Sequence, residues 1–159
     1  MSRAAQRSAD ICSKARLRLW LKLLKATGAI ETEIRRRLRE EFDTTLPRFD
    51  VMSALARHPE GLKMSEISGL LRVSNGNVTG IVDRLAEERL VLRVAVPGDK
   101  RAHRVHLTQA GTELFARQAA AHELWIDGLL KTLDGTDLDA MSSLLTRLND
   151  MTRGERGTC

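Results

Sequence analysis

Tyrosine is absent from this 159-residue chain, and aromatic residues make up only 3% of it. Single-stranded nucleic acids are gripped largely by stacking bases on aromatic rings, so that mode of binding has little material here. Cysteine is nearly as scarce, with Cys12 and Cys159 near opposite ends and no Cys-x-x-Cys pair. Neither a metal framework nor a disulfide scaffold is indicated. No apolar run reaches the roughly 20 residues that a bilayer-spanning helix needs. The N-terminus is basic and polar without an apolar signal core, so a cytoplasmic protein is expected. The histidines are His58, His103, His106 and His122. His103 and His106 lie three apart in an extended run, on opposite faces. No acidic or histidine cluster has metal-ligand spacing and no Gly-rich phosphate loop occurs, so neither an enzyme nor a bound cofactor is expected.

Charge is plentiful. Lys and Arg number 26 against 21 Asp and Glu, a formal net charge of +5 that favours an anionic partner without naming it. The length fits one domain with room for added dimerisation helices.

The most informative stretch is SNGNVTGIVDRL, Ser74 to Leu85. Ser74 is a good N-cap, and Val78, Ile81, Val82 and Leu85 form one apolar stripe of a helix. The other face opens with Asn75, Gly76, Asn77 and Thr79, small or hydrogen-bonding groups suited to reading base edges in a major groove. Upstream, Met64, Ile67, Leu70 and Leu71 mark a shorter helix, only Arg72 and Val73 away, which reads as helix-turn-helix. Downstream, VLRVAV (Val91–Val96) and HRVHL (His103–Leu107) read as strands around Pro97-Gly98-Asp99. The intervening loop and the second strand carry Lys100, Arg101 and Arg104. A basic-tipped hairpin beside a reading helix is a winged helix-turn-helix. In such a protein Ser74, Asn75, Asn77 and Thr79 face the major groove, and Gly76 lets the helix start approach phosphate. Arg84, Lys100 and Arg104 would hold phosphates without specifying sequence.

The rest of the chain supplies helices. Residues 1–14 read as a mobile basic arm. From Ala15 to Phe42, Leu17, Trp20, Leu24, Ile30, Ile34 and Leu38 recur at near-helical spacing. Leu19, Leu21 and Leu23 make its first half apolar almost all round, so it needs cover on more than one side, most simply from another subunit. Its second half, EIRRRLREEF, carries Arg35, Arg36, Arg37 and Arg39 among glutamates. That run is either a solvated face of i,i+4 ion pairs or an anion site for the phosphates of an effector. Thr45-Leu46-Pro47 starts a helix with Phe49, Met52, Leu55 and Ala56 as its stripe. Lys63 stands where a Ser or Thr cap is expected, with Ser65 as the nearest substitute. Thr108 caps a helix running to about Leu133. Thr136, Asp137 and Asp139 open a last one, in which Leu138, Met141, Leu145 and Leu148 repeat at a coiled-coil-like spacing.

PGDKRAHRVHLT resembles the wing signature of the MarR family of bacterial transcriptional regulators. With the upstream helix pair, the resemblance runs from about Leu17 to Met151. It implies a mainly α fold with a small β-hairpin wing and an intertwined homodimer. Its parts would be a dimerisation helix at 15–44, a winged domain at 45–107, C-terminal dimerisation helices at 108–153 and a tail at 154–159. The family's minor-groove arginine maps onto Arg101, and Asp99 resembles the aspartate that orients it. Two departures stand out. Lys100 replaces a frequent Arg, losing fork geometry but keeping charge. Arg89 replaces the glycine that usually ends the reading helix, which forces a left-handed conformation on a side-chain-bearing residue. The implied partner is a pseudo-palindromic double-stranded operator.

Many members of the family release DNA when a small aromatic molecule binds between the dimerisation helices and the winged domain. The resemblance puts Trp20, Leu24, Ile30, Phe49 and Met52 in the walls, each equally at home in a core. The stretches WLKLL…EIRRRLRE, TTLPRFDVM and VSNGNVTGIVDRL are similar to repressors that answer hydroxycinnamoyl-coenzyme A thioesters such as p-coumaroyl-CoA. In that reading the Arg35–Arg39 run holds the coenzyme phosphates. Two other readings remain open: redox sensing through Cys12, flanked by Lys14 and Arg16, and a non-specific architectural winged helix.

Overall fold

The computed structural model describes residues 3–71 and 74–154, with side chains outside 3–11, 75, 99–102 and 152–154. In order these form α1 (Arg3–Phe42), α2 (Leu46–Ala56), α3 (Met64–Leu71), α4 (Asn75–Glu87), β1 (Val91–Val96), β2 (Asp99–Leu107), α5 (Gln109–Leu130) and α6 (Gly135–Gly154). The architecture is mainly α with one antiparallel hairpin, as the sequence implies. The chain divides into two compact units, Met1–His122 and Glu123–Cys159.

In the first unit, α1 begins at Arg3 rather than near Ala15, so the stretch expected as an arm is helical from residue 3. No proline or glycine interrupts Arg3 to Lys14, and Ala4, Ala5, Gln6, Arg7 and Ala9 are good helix formers. Polar helices of this kind give no apolar period to read. Further along α1, Leu17, Leu19, Trp20, Leu21 and Leu24 are exposed, whereas Ile34 and Leu38 are buried.

The core of this unit lies among the short helices. Val51, Met52, Ala54 and Leu55 of α2 pack with Ile67 of α3 and with Val78, Val82 and Leu85 of α4, and Leu62, Val91 and Val105 close it. Fully burying an aliphatic side chain of this size contributes about 1.5–3 kcal/mol, so these residues dominate the unit's stability. The α4 stripe is the expected one, with Ile81 only half-buried at its edge. Two expected core positions point out instead: Ala56 is exposed and Leu70 is 54% exposed. Val51 and Ala54 take the inner places on α2, which is buried over a broader arc than a single stripe.

Helix ends are set by local chemistry. The Asn77 amide donates to Ser74 Oγ (3.4 Å) and the Gly111 amide to Thr108 Oγ1 (3.0 Å), so both expected caps form. Neither Lys63 nor Ser65 caps α3 through its side chain. Instead Glu66 reaches back and accepts from the Lys63 amide at 2.8 Å, half of a capping box. The α6 cap lies earlier than Thr136: Asp134 and Asp137 accept reciprocally from each other's amides at 2.9 and 3.3 Å.

At the end of α4, Arg89 sits at φ 58°, the left-handed conformation its position demands. The Arg89 amide donates to Ala86 O and the Leu90 amide to Leu85 O, both at 2.9 Å, the bond pair of a Schellman motif. A non-glycine residue there carries a cost of about 1 kcal/mol. Arg89→Gly is therefore expected to raise the urea midpoint without changing the slope, a gain of about 1 kcal/mol in a denaturation series.

The hairpin pairs Val91 with Leu107 and Val94 with Arg104, shifts register between Ala95 and Val96, and turns at Pro97-Gly98. β2 begins at Asp99, four residues before the expected His103. The stretch Asp99–Ala102, expected as loop, is thus strand by backbone. The α2–α3 loop adds a bridge to this ladder: Leu62 N donates to Val105 O (3.1 Å) and Val105 N to Leu62 O (2.8 Å).

The second unit holds the end of α5 and all of α6. α5 ends at Leu130 rather than at Leu133. Leu138, Met141, Leu144, Leu145, Leu148 and Met151 of α6 are all exposed, the large apolar residues of a helix with an uncovered face. Among the described residues no helix is long and apolar enough to cross a membrane.

Candidate nucleic-acid interface and adjoining cavity

The outer face of α4 carries Gly76, Asn77, Thr79, Gly80 and Arg84, all exposed, while Val78, Val82 and Leu85 hold the opposite face in the core. Core packing thus turns outward the face of α4 that the sequence pattern leaves polar. Asn77 lies in the first turn, where free amides and short polar side chains converge. The Ser74 hydroxyl is spent on capping, which makes that residue a shaper of the helix start. Asp83 lies on the same exposed side and would repel phosphate, but Arg93 of β1 holds it at 2.5 Å. Arg48 of α2 similarly pairs with Glu88 at the α4 C-terminus.

Several expected contacts lie on the wing. The side chains of Asn75, Asp99, Lys100 and Arg101 fall outside the described residues, although their backbone positions at the α4 start and on β2 are set. Arg104 is described, and it turns inward: Nη1 donates to the Gly61 carbonyl at 2.7 Å and lies 3.6 Å from Glu66 Oε2. Nothing in a single-strand alternation pattern marks that second partner.

A cavity of about 580 Å3 opens beside α4, lined by Arg35, Arg39, Thr45, Leu46, Pro47, Asp50, Leu71, Asn77 and Ile81. It brings together two of the arginines expected at an anion site with an apolar wall. The other two are committed elsewhere. Glu33 accepts from Arg36 Nη2 and Arg37 Nε, each at 2.6 Å, and Arg36 also pairs with Glu40. Those bonds hold the Glu33 carboxyl well below its ordinary value, at about 2. Arg35 pairs only loosely with Glu31 at 3.3 Å, at an exposed site where such a pair is weak. Arg39 has no ion pair among the described residues. The cavity does not include Trp20, Leu24, Ile30, Phe49 or Met52. Trp20 and Leu24 are exposed and Ile30 half-buried on α1; Phe49 and Met52 are buried, with Phe49 against Phe115 and His122 at 5.5 and 5.0 Å between ring centres. Leu46, Pro47, Leu71 and Ile81 supply the apolar wall in their place. Periodicity sorts a side chain into core or surface, but it does not mark a hollow between helices.

Burial pushes the Asp50 carboxyl above its ordinary value, against the opposing pull of Arg35. A raised carboxyl favours the folded state in acid and loses that contribution as pH rises through its folded pKa. Asp50→Asn is thus expected to raise thermal stability at neutral pH, with the difference vanishing below the ordinary carboxylate range. Melting curves across pH 3–8 would check the trend.

Cys12 is exposed on α1. Among the described residues no group of three His, Cys, Asp or Glu side chains is placed to hold a metal ion.

A helix pair with its second helix turned outward and a hairpin at its flank defines a winged helix-turn-helix. A model of the MarR family matches residues 42–102. The structure of a MarR family transcriptional regulator from Silicibacter pomeroyi shares 34% identity and a TM-score of 0.71, over 87% of this chain and 96% of that one. The chain belongs to the MarR family, whose members are DNA-binding transcriptional regulators. YpoP, an HTH-type transcriptional regulator of Bacillus subtilis, is 29% identical over 52% of this chain, and the match spans 60% of YpoP's length. The structure of a cysteine-to-serine mutant of MarR from E. coli complexed with operator DNA shares the fold, with a TM-score of 0.73 at 21% identity over 84% and 95% of the two chains.

Proposed function

We propose that this chain is a homodimeric, sequence-specific repressor that leaves its operator when a small aromatic effector binds. The single observation that carries the DNA-reading part is α4, whose core stripe leaves Gly76, Asn77, Thr79 and Arg84 exposed beside a basic wing. Asn75 and Asn77 read base edges in the major groove, with Thr79 alongside and Gly76 allowing close approach. Ser74 shapes the helix start. Arg84 and Lys100 hold phosphate, and Arg101, steadied by Asp99, enters the minor groove. A protein of the same fold, the E. coli MarR mutant, forms a complex with operator DNA, which supports an operator as the partner here.

Dimerisation is supported by two uncovered apolar faces, Leu17 to Leu24 on α1 and Leu138 to Met151 on α6. Contiguous exposed apolar surface of that kind is normally buried against another chain.

The effector reading rests on the cavity. Arg35 and Arg39 offer cationic forks to an anion while Leu46, Pro47, Leu71 and Ile81 offer an apolar wall. An aromatic acyl-CoA such as p-coumaroyl-CoA carries both features, with its phosphates on the arginines. The test is a titration of the purified protein onto the intergenic DNA beside its own gene, with p-coumaroyl-CoA or free p-coumarate added. Release by the thioester at concentrations where the free acid has no effect is the expected result. Equal potency of the free acid would remove the coenzyme from the reading, and tight binding that ignores both would remove this effector class. Arg39→Ala should weaken the thioester response by about tenfold, the usual scale for losing a charge-assisted contact.

A further inference from the structure

Three consecutive residues of β2 grip the loop that leads into α3. Arg104 donates to the Gly61 carbonyl at 2.7 Å. Val105 exchanges both backbone bonds with Leu62. His106 Nδ1 meets the Pro59 carbonyl at 3.2 Å, and its ring lies so close to Gly61 that a Cβ there would stand 2.4 Å from Nε2. Gly61 itself is at φ 74°, a conformation that suits glycine. Beyond the loop, Arg104 lies 3.6 Å from Glu66 Oε2, the same oxygen that caps α3 through the Lys63 amide. One carboxylate oxygen thus serves both the start of the helix-turn-helix and the base of the wing.

We propose that Arg104 is a positioning residue: it fixes the wing against the entrance of α3 through Gly61 and Glu66, rather than neutralising a DNA phosphate. The inference rests on the DNA-binding reading above. A duplex that meets α4 in one groove and the wing tip in the next needs the two held at a set separation. Without the clasp, the wing has to be ordered at the moment of binding, and that ordering subtracts from affinity. One nitrogen, Nη1, faces both the carbonyl and the carboxylate, and the rigid planar guanidinium holds it in a single orientation that a flexible, freely rotating ammonium would not keep.

The test uses the full chain and a duplex selected from a random pool by the wild-type protein, with affinity measured across a salt series. A lost phosphate contact lowers the slope of log K against log salt by about 0.9. Arg104→Gln is expected to weaken binding on the order of tenfold while leaving that slope unchanged. Arg104→Lys should weaken binding similarly, although a lysine would serve a phosphate well. Glu66→Gln keeps an acceptor for the Lys63 amide and removes only the charge opposite Arg104. It should also weaken binding, and the double variant should lose little more than either single one. If Arg104 instead touches phosphate, Arg104→Gln lowers the slope and Glu66→Gln leaves binding equal or tighter. That pattern overturns the proposal. Hydrogen exchange of free protein gives a separate readout: the Leu62 and Val105 amides should exchange faster in Arg104→Gln, and unchanged exchange also overturns it. If the wild-type chain selects no duplex, the DNA-binding reading itself has failed, and the exchange result alone decides the clasp.

Discussion

Replacing Gly111 with alanine is expected to cost about 3 kcal/mol of unfolding free energy, although the residue lies in a helix. Propensity alone predicts the opposite sign, a gain of about 1 kcal/mol for alanine over glycine in a helix. Geometry decides. A Cβ on Gly111 would stand 2.0 Å from the Leu90 carbonyl oxygen, and that atom is backbone, not the end of a flexible side chain. The same carbonyl accepts from the Thr108 amide at 3.0 Å, and Thr108 Oγ1 donates to the Arg89 carbonyl at 2.8 Å. Pushing Leu90 away therefore also disturbs the α5 cap and the Schellman turn that ends α4. A urea titration of Gly111→Ala against wild type measures the loss. A stability equal to or above wild type would mean that the α5–Leu90 approach is looser than described.

The second large effect concerns recognition. Asn77→Ala is expected to lower affinity for the selected duplex by about 30-fold, within the range of a bidentate base contact, and to leave random duplex nearly unaffected. Folding should not suffer, since Asn77 is exposed, its amide keeps the Ser74 cap, and alanine favours helix. Arg84→Ala is the matched control, expected to weaken both duplexes alike and to reduce the salt slope, as a phosphate contact does. Equal losses on both duplexes for Asn77→Ala would place that residue on the sugar-phosphate backbone.

Those two residues differ in how visible they are in the sequence. Asn77 stands out because the stripe Val78, Ile81, Val82 and Leu85 fixes which side of α4 faces outward, and a stripe is a local property. The caps at Ser74 and Thr108 and the left-handed Arg89 are local too, and all were legible. Gly111 was not, because its partner is the Leu90 carbonyl, reached only when α5 folds back on the end of α4. The Leu62–Val105 bridge and the Arg104–Gly61 bond were hidden for the same reason: they join segments more than forty residues apart. The α1 start is hidden on other grounds, since a helix with no apolar face leaves nothing periodic to detect. The cavity beside α4 belongs to the same hidden set. Its arginines stand out in the sequence as a charge run, but its apolar wall is built from Leu46, Pro47, Leu71 and Ile81, contributed by α2, α3 and α4.

Asn77 borders that cavity and also lies on the exposed face of α4. If an effector and the operator both engage Asn77, the two binding events are linked, and the linkage runs equally in both directions. If a molecule in the cavity lowers operator affinity by some factor, the operator must lower that molecule's affinity by the same factor. Protein parked on its operator is then the less sensitive detector, and the free pool registers the compound first. The concentration at which a promoter responds would depend on how much unbound regulator the cell holds, as well as on the affinity of the cavity.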